Sequence, residues 1–146
     1  MKKKIFILIV VLIVVLQFFN PAKNDAGYQS VELFEKETNI TPGVQQIFKT
    51  DCYDCHSNHS VYPWYASIAP FSFFIDHHIE EGKEHFNVSD WATYSDKKKD
   101  HKLEELIEEV EEGEMPLLSY TWLHGDLTEA EKKDLINWAT ELRKKY

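Results

Sequence analysis

The chain has 146 residues, of which 25 are acidic and 16 basic, and a formal net charge of −9 at neutral pH. That length holds one small domain beside a terminal segment. The charge argues against nucleic acid or an anionic lipid surface as the partner, and two cysteines are too few for a disulfide-built scaffold.

The N-terminus reads Met1-Lys2-Lys3-Lys4, followed by an apolar run from Ile5 to Phe19 in which Gln17 is the only polar residue. A basic start and a 15-residue apolar stretch are the grammar of a secretory signal peptide or a signal anchor, assigned here to residues 1–22. The run is short for a spanning helix, which needs about 20 residues. No Ala-x-Ala-like cleavage site follows, so an uncleaved anchor is the preferred expectation over a cleaved signal. Either way the lysines stay inside and the remainder is exported. The chain is thus expected at the inner membrane facing the periplasm, or free in the periplasm if the signal is cut. The exported part carries all 25 acidic residues against 12 basic ones, a composition that favours solubility and steering toward a basic docking patch.

Residues 23–39 read as a linker, with a possible short helix over Val31 to Glu37, and residues 40–146 as the domain. Thr41-Pro42 supplies an N-cap and a first-turn proline, and Val44, Ile47, Phe48 and Cys52 fall on one helical face. This first helix delivers the pentapeptide Cys52-Tyr53-Asp54-Cys55-His56 at its end. Two cysteines separated by two residues, with histidine directly after, form the attachment signature of c-type haem. The thiols of Cys52 and Cys55 must reach two vinyl groups on one porphyrin edge, and His56 must place an imidazole over the iron. A thioredoxin-like redox motif would need a βαβ setting, which is not seen here. A zinc site would need a second ligand pair, also not seen, and a plain disulfide would leave the histidine a coincidence. Export agrees with haem, since bacteria attach haem to such cysteines outside the cytoplasm.

A second helix is expected from Pro70 to about Glu84, with Phe71, Phe74, Ile75, His78 and Ile79 on its apolar side. A third spans Asp96 to Glu112, with Leu103, Leu106, Ile107 and Val110 as its stripe and Gly113 ending it. The last begins at Thr128, which forms a capping box with Glu131, and carries Leu135, Trp138, Ala139 and Leu142. Strand alternation is nowhere sustained, so the domain reads as all-α. Apart from the initiator, Met115 is the only methionine, and it lies in a proline-stiffened loop 59 residues after His56. A thioether there would be the sixth iron ligand; the bland alternative is a gap-filling side chain. His78 is the rival ligand, because an imidazole on an otherwise apolar face needs a partner. His59 lies too close to His56 to reach around the porphyrin. His77, His85 and His101 read as surface residues, and His124 as a propionate neighbour. Tyr62-Pro63-Trp64-Tyr65, Trp91, Tyr120 and Trp122 could wall a porphyrin or simply fill a core.

The runs CYDCHSN, YPWY, IAPFS, HHIEEGKEHFNVSDW, GEMPLLSYTWLH and LTEAEKKDLINW resemble, in this order, the small bacterial haem-binding domain family with a c-type attachment site. The resemblance covers about residues 40 to 142. Its ending is similar to class I cytochrome c, in which a Met-Pro loop precedes a C-terminal helix. It implies one covalent haem per chain, a small cytochrome c-like helical fold, and an exported or anchored location, with Cys52, Cys55 and His56 matching the attachment motif and Met115 the axial position. Residues 57 to 100 exceed what a minimal cytochrome c carries there. Two functions follow: an electron carrier working with redox partner proteins, and a haem enzyme or a gas or peroxide sensor with an open distal site. Arg143, the sole arginine, sits in the last helix, and the chain offers no evident distal catalytic set. Electron transfer is therefore the preferred expectation, and a non-catalytic role goes with it.

Overall fold

Helices build the whole chain. The computed structural model describes residues 1–146 and contains no strand, only an isolated bridge between Asp25 and His59. Helix α1 (Lys2–Leu16) opens with three lysines and is apolar on every side from Ile5 onward, and none of its residues is buried. No helix of the structure is long and apolar enough to cross a membrane.

After α1 the chain does not run free. The Asn24 side chain donates to the Ser57 carbonyl and the Ser60 hydroxyl, both at 2.8 Å, and the Ala26 amide donates to the Asn58 carbonyl at 2.8 Å. Helix α2 (Glu32–Thr38) ends on Asn39, whose left-handed φ of 48° stops the helix. Val31 and Phe34 are fully buried. The stretch expected as a linker therefore contributes to the core. Thr41 caps α3 (Pro42–Ile47) by accepting from the Val44 amide. A wide π-helical turn over Phe48–Cys52 then leads into the single turn α4 (Tyr53–His56). Helix α5 spans Phe71–His85 and α6 spans Asp96–Glu112. A short α7 (Leu118–His124) follows, and α8 covers Glu129–Arg143 with the Thr128–Glu131 capping box in place.

Helices α6 and α8 form the most extensive pair, and α3 packs on α8. Leu103 and Val110 of α6 join Leu135, Ala139 and Leu142 of α8 in one core, as their 3.6-residue spacing requires. Arg143 ties the pair at the surface, donating to Asp100 at 2.7 Å and to Glu104 at 2.9 Å. Phe34 centres the aromatic part, with the Phe48 and Trp91 rings 5.3 Å away and Trp138 at 6.1 Å. Helix α5 departs from its expected stripe. Ile79 is buried as expected and Ser72 and Gly82 are buried with it, whereas Phe71 and Phe74 are exposed. Counting phenylalanines as core placed the apolar face wrongly, because the close approach of α5 to α4 requires small residues.

Candidate functional site

The site begins at the π-helical turn. One extra residue in the turn re-aims the chain as it leaves α3, a device frequent at functional sites. It brings Cys52 to the start of α4, so Cys52, Cys55 and His56 lie on one short turn. The turn is held from below. The fully buried Ser57 hydroxyl donates to the Tyr53 carbonyl at 2.8 Å and accepts from the His59 amide at 2.9 Å. The Asn58 amide donates to the Ser89 hydroxyl at 2.9 Å.

His56 Nδ1 lies 2.9 Å from the Phe86 carbonyl oxygen. That oxygen can only accept, so in the neutral ring Nδ1 carries the hydrogen and Nε2 keeps its lone pair. Burial lowers the His56 pKa, against the hydrogen bond to Phe86, which raises it. The ring is thus neutral at neutral pH, oriented by a backbone acceptor, and able to ligate a metal. Burial pushes both thiols up, Cys55 to about 11, with the carboxylates of Asp51 and Asp54 acting in the same direction on Cys52 and Cys55 respectively.

Gly82 lets α5 lie directly on this turn. A Cβ at position 82 would stand 2.7 Å from the Cys55 carbonyl oxygen and 3.1 Å from the Cys55 Cβ. Between the motif, α5, α6 and the loop before α7 opens a cavity of about 370 Å3. Phe48, Phe86, Leu106, Val110, Leu127 and Leu135 form apolar walls, and Lys102, Glu105 and Glu109 lie at its α6 side. All the expected ligands border it: Cys52, Cys55, His56, Met115 and the alternative His78. Met115 is half-buried, and its amide donates to the Glu109 carbonyl at 3.1 Å, beyond the left-handed Gly113. His78 holds the Phe74 carbonyl through Nδ1 at 2.8 Å and packs 4.2 Å from the Phe74 ring.

Other residues fall elsewhere. His85, expected on the surface, also borders the cavity, although it is exposed. The signal was present in the sequence: His78, Glu81, Gly82 and His85 share one helical face at i, i+3, i+4 and i+7. Tyr120 borders the cavity too, and its hydroxyl donates to the Thr50 carbonyl. His124 does not; it stacks on Tyr120 at 4.2 Å and sits 2.9 Å from the Tyr65 hydroxyl. His59 pairs with Asp25, His77 with Glu81, and His101 with Glu104 and Glu105. Trp91 is core, while Trp64 and Trp122 are exposed.

An apolar chamber bordered by two thiols three residues apart, an oriented neutral imidazole and a thioether from another element suits a porphyrin. A family model described as a haem-binding domain matches residues 11–141. The chain belongs to the haem-binding domain family. No curated protein and no solved structure matches it. Membership makes haem the cofactor of this domain, and this cavity is where its residues fit one.

Proposed function

We propose that the chain is an exported c-type haem protein that carries single electrons, with Cys52 and Cys55 as covalent attachment points, His56 as proximal ligand and Met115 as sixth ligand. One observation carries this reading: Cys52, Cys55, His56 and Met115 border a single apolar cavity, although 59 residues separate the two iron ligands. Bound haem supplies a one-electron ferric/ferrous couple. Cys52 and Cys55 would hold the group covalently as thioethers, each thiol adding across one vinyl group with no change that needs an outside oxidant. His56, held through Nδ1 by Phe86, keeps its ring orientation in both oxidation states, which limits reorganisation. A Met115 thioether on the iron would raise the reduction potential and keep exogenous ligands out. The acidic surface favours a basic redox partner protein, and the lysines ahead of the Ile5–Phe19 run favour a domain held outside the inner membrane.

The second reading, a haem enzyme or sensor with a labile distal site, draws on His78 and His85 bordering the same cavity. Both readings are tested together. The intact mass after expression with haem-attachment machinery should exceed the bare chain by one haem, and Cys52→Ala with Cys55→Ala should remove the increment. The Met115→Ala variant should lower the potential and bind carbon monoxide, whereas His78→Ala should leave the spectrum closed to it. Ready carbon monoxide binding by the unmutated protein would favour the enzyme or sensor reading.

A further inference from the structure

Trp64 and Trp122 are 79% and 78% exposed, an unusual placement for two indoles in an acidic domain. They are not isolated. Val61, Ile68, Phe71, Phe73 and Phe74 are exposed beside Trp64 in sequence, and Leu118 and Leu123 beside Trp122. Tyr65 joins the two groups by its 2.9 Å contact with His124, at the end of α7. Residues 60–75 and 115–123 contain no Asp, Glu, Lys, Arg or His, in a chain where 28% of residues are charged. Neither Trp64, Phe71 nor Trp122 borders the haem cavity, so the cofactor does not cover them.

The foot of α1 meets this same face. The Gln17 side chain donates to the Ala69 carbonyl at 3.1 Å and accepts from the Ala69 amide at 3.0 Å, between Ile68 and Phe71. Phe18 and Phe19, also exposed, follow directly. Helix α1 has 15 residues, about 22 Å at 1.5 Å per residue, against a hydrocarbon core of about 30 Å. A short apolar helix is accommodated by local thinning, by snorkelling of its flanking lysines, and by drawing its flanks toward the bilayer. Aromatic side chains, Trp above all, are the residues suited to the headgroup boundary.

We propose that the face formed by residues 61–74 and 118–123 rests in the bilayer interface at the foot of α1, completing an anchor too short to span alone. The inference rests on the reading of residues 1–22 as a membrane anchor. The occupant is lipid, because the face is continuous with the apolar helix and bears no charge for a protein partner to read. The overall acidity opposes adsorption to anionic lipid, so the contact is hydrophobic and suits neutral lipid. It fixes the orientation of the domain and places the Met115 loop, which leads into Leu118, near the membrane surface.

The full-length haem-loaded chain, reconstituted in phosphatidylcholine vesicles that carry a diazirine in the acyl chain, tests this by photolabelling and peptide mass spectrometry. Adducts are expected on peptides covering 5–19, 61–74 and 118–123. Labelling confined to 5–19 would overturn the resting face and leave the anchor standing; labelling of none of the three would remove the anchor and the face together. A variant with Trp64→Ser, Phe71→Ser, Trp122→Ser and Leu123→Ser alters only exposed side chains, and an unchanged haem spectrum verifies its site. It should lose the adducts on 61–74 and 118–123 and keep those on 5–19. Retention of all three would also overturn the proposal.

Discussion

Cys52 and Cys55 lie half-buried on one turn, where a thiolate loses part of its hydration, and the Cys55 thiol is pushed up from 9.0 to about 11 by burial first and by the Asp54 charge second. The folded site therefore holds thiols and not nucleophiles, so reaction at these sulfurs favours a chain in which they are still open to solvent. The sign is plain: raising the pKa leaves less thiolate at any pH below it. A two-unit shift cuts the thiolate fraction at pH 8 by about 100-fold. Alkylation of Cys55 by iodoacetamide in the folded, haem-free chain should be slower than in the urea-unfolded chain by about that factor. The rate should climb with pH toward 11. Equal rates in the two states would show that the turn opens freely. Of the four expected site residues, Cys52, Cys55 and His56 stood out in the sequence because a fixed spacing joins them, and the structure brings all four to one cavity. Met115 was singled out by the count of methionines, its proline-stiffened loop and the Met-Pro resemblance, since no local rule joins it to residues 59 positions away. His85 was passed over because its flanking charges outweighed its i+7 relation to His78.

Periodicity decided which helices could be read. Helices α6 and α8 are long, amphipathic and capped by Ser95 and Thr128, so their bounds follow from their own residues. Helix α7 was not foreseen; it has seven residues and no side-chain cap, and Tyr120 holds it from outside by donating to Thr50. The turn over Val88–Thr93 likewise exists to bury Trp91. In α5 the deciding residue is Gly82, whose meaning lies in the helix it touches. Replacing it with alanine gains about 1 kcal/mol of helix propensity. Against that, the new Cβ would stand 2.7 Å from the Cys55 carbonyl oxygen, and such overpacking typically costs about 1–3 kcal/mol. The steric effect should win by about 1 kcal/mol. Gly82→Ala should lower the urea midpoint and reduce the haem content of purified protein, because the Phe86 carbonyl that aims His56 belongs to the residue directly after α5. A stabilised variant with full haem content would mean that α5 can shift without disturbing the site.

At the scale of the molecule, the site depends on a segment that sequence alone made look expendable. Between Pro21 and Asn39 only Val31, Leu33 and Phe34 are strongly apolar aliphatic or phenyl residues, too few to display a period, and the partners that bury them lie far along the chain. The structure makes this segment a strap. Asn24 holds the loop after His56 through Ser57 and Ser60, and Phe34 sits among Phe48, Phe86, Trp91 and Trp138. Phe48 and Phe86 border the candidate cavity as well, so the strap braces the cavity wall from behind. A linker residue changed to alanine costs almost nothing, whereas a buried phenylalanine truncated to alanine costs about 3–5 kcal/mol. Small domains are stable by only about 5–15 kcal/mol in total. Phe34→Ala should therefore forfeit a large share of the stability, read as a lower urea midpoint with an unchanged slope. The exposed Leu33→Ala, one position away, should change the midpoint little. Loss of stability at Phe34 alone would establish residues 31–38 as core. Equal, small effects at both positions would return the segment to the status of a tether and remove the brace behind Phe48 and Phe86.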